Sequence, residues 1–126
     1  MDTEFEAKWN KVVDLVSKPY GEKLEFDAIL FLIGVQELGK GFRKFSKDQK
    51  LDVMHVAICS LLAPYGFYEF EGYDNDGWPH WKATEKLPYL KTLQQHHLMR
   101  QAVVNYFEND GFLQTTARIE NDLLDN

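Results

Sequence analysis

Apolar side chains recur along much of this chain at intervals of three and four residues, the period of a helix with one buried face. Phe5, Trp9, Val12, Val13 and Val16 follow that spacing. Thr3-Glu4-Phe5-Glu6 has the form of a capping box, in which a hydroxyl and a carboxylate each satisfy a backbone N–H of the other residue. A first helix is therefore predicted over about 3–17, ended by Pro19-Tyr20-Gly21. A second, over about 23–38, carries Leu24, Ile29, Leu30, Phe31, Leu32, Ile33, Val35 and Leu38. Its middle is apolar on every side, as expected of a central helix surrounded by others. Gly34 inside it costs about 1 kcal/mol relative to alanine, a cost offset if a neighbouring helix comes close. Gly39 and Gly41 are natural stops.

Ser46-Lys47-Asp48-Gln49 forms a second capping box. The third helix that it opens shows a stripe of Leu51, Met54, His55, Ile58, Cys59 and Leu62, expected to face inward. Pro64-Tyr65-Gly66 ends it with the same tripeptide that ends the first helix. The flanking residues do not match, so this is shared punctuation and not an internal repeat.

Over about 67–84 the period becomes two: Tyr68 and Phe70 alternate with Glu69 and Glu71. Asp74-Asn75-Asp76-Gly77 supplies turn chemistry, and Trp78-Pro79-His80-Trp81 follows. A small β-hairpin is predicted, irregular because Pro79 has no N–H to give to a ladder. A fourth helix, about 88–108, accepts Pro88 in its first turn. Ile119 and Leu123 suit one short helix in the tail. The predicted fold class is mainly α: a compact bundle of four main helices plus a short C-terminal helix, with the hairpin inserted between helices three and four.

A length of 126 residues supports one domain, 1–126, around a single core. Fourteen basic against twenty acidic residues leave a net charge of −6. That balance argues against binding duplex nucleic acid, where affinity comes largely from cations neutralising phosphates. The exception is local: Lys40, Arg43, Lys44, Lys47 and Lys50 face only Asp48 among neighbouring anions. The single cysteine excludes an internal disulfide. Ala28 to Val35 is too short an apolar run for a membrane span, and the first residues are acidic where a secretory signal would be basic. The expectation is a cytoplasmic protein that needs no cofactor and no membrane.

Five groups of residues could carry chemistry. His55 and Cys59 are neighbours at i, i+4, where an imidazole can activate a thiol; on an inward stripe they read instead as core. His96 and His97 diverge by about 100° on a helix, which argues against a shared metal, with His97 expected to be half-buried. Glu69, Glu71, Asp74 and Asp76, with His80 behind them, put four carboxylates in eight residues. On a regular strand Glu69 and Glu71 would lie about 6.6 Å apart on one face, a separation compatible with acid–base hydrolysis. Asp74-Asn75-Asp76-Gly77 also resembles the opening of a calcium loop, but Trp78 stands where an oxygen ligand is required and the closing glutamate is missing. Lys40, Arg43, Lys44 and Lys47 precede a helix N-terminus and could hold an anion.

The fifth group is aromatic. Tyr65, Phe67, Tyr68, Phe70, Tyr73, Trp78, His80 and Trp81 crowd the hairpin, too many rings for it to bury alone. Those left outside would suit a protein interface. The favoured reading is a small non-catalytic interaction protein, able to self-associate or bind a protein partner, with Tyr73, Trp78, His80 and Trp81 as the contact surface. The rivals are a metal-dependent or acid–base enzyme built on the carboxylates and His80, and an anion or nucleic-acid binder built on the basic loop. A concave pocket at the acid-and-tryptophan segment would favour the enzyme, and a flat contact the interaction protein.

Overall fold

The computed structural model describes residues 3–39, 44–89 and 92–109. In chain order these form α1 (Thr3–Ser17), α2 (Phe26–Leu38), α3 (Lys47–Leu62), β1 (Tyr68–Tyr73), β2 (Pro79–Ala83) and α4 (Thr92–Glu108). The protein is mainly helical, with the one antiparallel hairpin between α3 and α4. The predicted C-terminal helix lies outside the described residues. Among the described residues no helix is long and apolar enough to cross a membrane.

All four helices contribute to the main core. Val12, Val13 and Val16 of α1, Ile29 and Ile33 of α2, Leu62 of α3, and Val103 and Phe107 of α4 are buried together. The all-round apolar character of α2 is satisfied because this core does not cover it alone. A second cluster wraps its C-terminal end, where Val35 and Leu38 meet Phe45 and Val53, with Phe31 and Trp78 packed alongside. Phe31 and Phe45 meet edge to face with ring centres 5.8 Å apart.

Helices α2 and α3 approach closely at Gly34. A methyl group added to Gly34 would overlap the Val53 carbonyl oxygen and stand 2.7 Å from Val53 Cγ1. The cost of a glycine inside α2 is thus offset by backbone approach. This packing also corrects the predicted stripe of α3. Val53, Val56, Ala57, Cys59, Leu61 and Leu62 are buried, whereas Leu51 is 61% exposed and His55 is exposed. Val53 turns inward against Gly34, Ala57 is buried in the main core, and the larger Leu51 is rotated out.

Helix boundaries follow local chemistry with three corrections. Thr3 is already helical, so the capping position precedes it and lies outside the described residues. Glu6 is engaged across the bundle: Arg100 donates to its two carboxylate oxygens at 3.1 and 2.8 Å. The same guanidinium lies 4.9 Å from the Trp9 ring centre and 5.4 Å from that of Phe5, which clamps α4 to α1. Helix α2 begins at Phe26 and not near Lys23, because the Leu24 N–H is given to the buried Ser17 hydroxyl at 2.8 Å. Pro88 sits in a separate 3-10 turn, Leu87–Tyr89, so α4 starts at Thr92.

The capping box at Ser46 forms as predicted, with the Ser46–Gln49 pair closed in both directions at 2.9 and 3.1 Å. The two Pro-Tyr-Gly stops also take one shape. Each is a single 3-10 turn ending on a left-handed glycine, Gly21 or Gly66.

Gly34→Ala should destabilise the protein by about 1–3 kcal/mol, the usual cost of overpacking a tight contact, since the Val53 backbone cannot move without dragging α3. Urea unfolding followed by far-UV circular dichroism measures it. A gain in stability, as expected for glycine to alanine in an open helix, would contradict the close approach.

Candidate functional site

The hairpin is held at both ends. At its base Thr84 donates its backbone N–H to Phe67 O at 3.0 Å and its hydroxyl to Gly66 O at 2.6 Å. Lys86 donates to Tyr65 O at 3.0 Å and lies over the Phe67 ring. At its tip Asp74 organises the turn. Asp74 Oδ1 accepts from the N–H groups of Asp76 and Trp78 at 2.9 and 3.0 Å, and His80 Nε2 donates to Oδ2 at 2.9 Å. The bond from His80, then those from Trp78 and Asp76, hold the Asp74 carboxyl below the usual carboxylate range.

Between base and tip the strands pair Tyr68 with Ala83, Glu69 with Lys82 and Phe70 with Trp81, then slip so that Gly72 meets His80 and Tyr73 meets Pro79. Glu71 is the extra residue of this bulge. Pro79 opens β2, where a missing N–H is tolerated.

The bulge brings Tyr73 onto the same ring cluster as Phe70 and Trp81. Phe70 lies 5.1 Å from Tyr73 and 5.1 Å from Trp81, both in tilted edge-to-face contact. Tyr73 is 69% and Phe70 49% exposed, while Trp78 and Trp81 are half-buried. Trp78 points its bulk at the second core cluster and anchors the hairpin to α2 and α3. The Trp81 indole N–H is buried with no hydrogen-bond partner among the described residues.

An open cleft of about 430 Å³ separates the hairpin from α3, lined by Asp52 and His55 on one side and Asp74, Trp78, His80 and Trp81 on the other. The acid-and-tryptophan segment is thus concave where it meets α3, the shape that favours the enzyme, while Phe70 and Tyr73 lie exposed outside that cleft.

The five grouped polar residues separate in the fold. Only Asp74 and His80 line the cleft; Glu69, Glu71 and Asp76 do not. The bulge interrupts the regular alternation that would keep Glu69 and Glu71 in step on one face. Among the described residues no three His, Cys, Asp or Glu side chains are placed to share a metal ion.

His55 and Cys59 are indeed neighbours, but they are not both core: His55 is exposed and packs on Tyr68, whereas Cys59 has no exposed surface. Cys59 Sγ is 3.6 Å from His55 Nε2 and 3.9 Å from Nδ1, and so in line with neither. Burial pushes the thiol up to about 11, so it stays protonated at neutral pH and is a poor nucleophile.

His96 and His97 diverge as their spacing requires, His96 onto Phe26 and His97 onto Phe5. Both are exposed, which corrects the half-buried placing of His97; the residues of α4 that turn into the main core here are Leu98 and Met99. Lys44 and Lys47 are exposed at the start of α3, while Lys40 and Arg43 lie outside the described residues.

Sequence reasoning missed Phe70 as an exposed ring, and it missed Asp52 as a cleft residue. Gly72 was the available signal for the first, because a glycine inside a strand marks a bulge. No protein-family model, curated protein or solved structure matches this chain.

Two measurements test this geometry. Cys59 should react with iodoacetamide at pH 8 far more slowly in the folded protein than in 6 M guanidinium chloride; equal rates would place the thiol outside. Because the Asp74 carboxyl is held low in the fold, its contribution to the turn is complete above about pH 4, the ordinary carboxylate value. It is lost as pH falls through the lowered value. The indole N–H resonances of Trp78 and Trp81 should shift over that acid range in the native protein and lose this step in Asp74→Asn.

Proposed function

We propose that this protein is a non-catalytic binding module whose contact surface is the aromatic face of the hairpin. Phe70 and Tyr73 form the exposed part, Trp81 backs them, Trp78 packs the segment on the body of the protein, and His80 braces the turn through Asp74. The observation that carries this reading is the three-ring cluster with two rings open to solvent. Exposed aromatic side chains that are already packed against one another lose little side-chain freedom on binding, which is the economy seen at interface hot spots.

The polar groups nearby support a binding role over catalysis. Both oxygens of Asp74 are committed to the turn, and the Cys59 thiol is kept neutral by burial. The acid–base reading loses Glu69 and Glu71, which do not line the cleft; the carboxylates that face each other there are Asp52 and Asp74, and Asp74 is already bonded to the turn and to His80. Of the residues of the anion-binding reading, Lys44 and Lys47 are exposed, and Lys40 and Arg43 lie outside the described residues.

A photoreactive benzoylphenylalanine at position 73 tests the surface directly. Irradiation in living cells should give discrete protein adducts, with a band at twice the monomer mass if the partner is a second copy. The same group at exposed Glu4 on α1 should give only background. Phe70→Ala should reduce the position-73 adducts without lowering the melting temperature by more than a few degrees, since Phe70 is half exposed. Background adducts at both positions would overturn the proposal.

A further inference from the structure

We infer that the partner presents a basic segment, with Lys or Arg side chains that sit over the open faces of Phe70 and Tyr73. This rests on the hairpin being the contact surface and names the chemistry that surface fits. Residues 67–84 carry Glu69, Glu71, Asp74 and Asp76 against Lys82 alone, a net charge of −3 with His80 neutral. All four carboxylate residues are exposed. A purely apolar partner would strip water from Glu69 and Glu71, which flank Phe70, and return nothing, and an acidic one would be repelled. An aromatic face is negative at its centre, so rings and carboxylates here attract the same kind of group.

The protein already holds cations in this way elsewhere. Arg100 packs on Phe5 and Trp9 while its guanidinium is gripped at two points by Glu6. Lys86 lies 5.1 Å from the Phe67 ring centre. The Glu4-Phe5-Glu6 sequence that receives Arg100 recurs in the hairpin as Glu69-Phe70-Glu71. On α1 the carboxylate and the ring are filled from within the chain. On β1 the ring is half exposed, and among the described residues neither Phe70 nor Tyr73 has a cation over it. The hairpin therefore offers the acceptor half of an arrangement whose donor half a partner would supply. Lys82 opposite Glu69 leaves Glu71, the bulged residue, without a cross-strand neighbour and nearest in sequence to both exposed rings.

The probe is a fluorescein-labelled peptide of alternating arginine and glycine, titrated with the full chain at low salt and read by anisotropy. A glutamate–glycine peptide is the control. The basic probe should bind and the acidic one should not. Phe70→Leu and Tyr73→Leu should each weaken binding about two- to fivefold, because leucine keeps apolar area but not the negative ring face. Glu69→Gln with Glu71→Gln should weaken it further and flatten its dependence on salt. This charge variant leaves rings and turn intact, so it remains decisive if a ring variant unfolds. Equal binding of both probes, or leucine variants that bind like the native chain, would overturn the inference. If the basic probe fails to bind while position-73 adducts persist, the cation proposal falls and the contact surface stands. If both fail, both fall.

Discussion

A helix that is apolar on every side has to be surrounded, and α2 imposes that requirement on the rest of this protein. Ile29 and Ile33 are covered by the main core, and Val35 and Leu38 by a second cluster on the far side. Helix α3 reaches both, with Ala57, Leu61 and Leu62 in the first and Val53 in the second. The contact with α3 is close enough to exclude a methyl group at Gly34, which sets the rotation of α3 about its own axis. Once that rotation is set, Val53 and Ala57 point inward and Leu51 and His55 point out. The face of α3 that borders the cleft is thus a consequence of how α2 is covered.

The hairpin is attached to this arrangement through few but dissimilar contacts. Trp78 adds apolar surface to the cluster around α2, Thr84 and Lys86 tie the base to backbone carbonyls left by the end of α3, and Asp74 closes the tip. Isolated two-stranded hairpins are marginal in water. Here the strands are stabilised by what lies beneath them, which frees the upper rings from a structural role. Trp78, Phe67 and Tyr68 pack on the core, and Phe70 and Tyr73 are left outside.

Proximity in sequence and reactivity in the fold separate clearly in two places. His55 and Cys59 meet at the spacing of one helical turn, yet burial keeps the sulfur protonated and the imidazole nitrogens do not aim at it. The carboxylates of the hairpin are adjacent in the chain, yet a turn consumes Asp74 and a bulge puts Glu71 out of step with Glu69. In both cases geometry decides whether neighbouring groups act together.

The chain alone determined the existence, type and approximate extent of the four helices and the hairpin. It also determined the capping of α3 at Ser46, the shared Pro-Tyr-Gly stops and the close approach at Gly34. These depend on interactions between residues a few positions apart, or on the absence of a side chain, and both are written locally. Only the tertiary structure decided which side of α3 faces inward, that Glu6 pairs with Arg100 across the bundle, that Leu24 gives its N–H to Ser17, and that Phe70 joins Tyr73 on an exposed face. The physical reason is that helical periodicity fixes which residues share a stripe but not which stripe wins when several are apolar. That choice goes to the packing that brings two backbones closest, and it is made between segments that the sequence holds far apart.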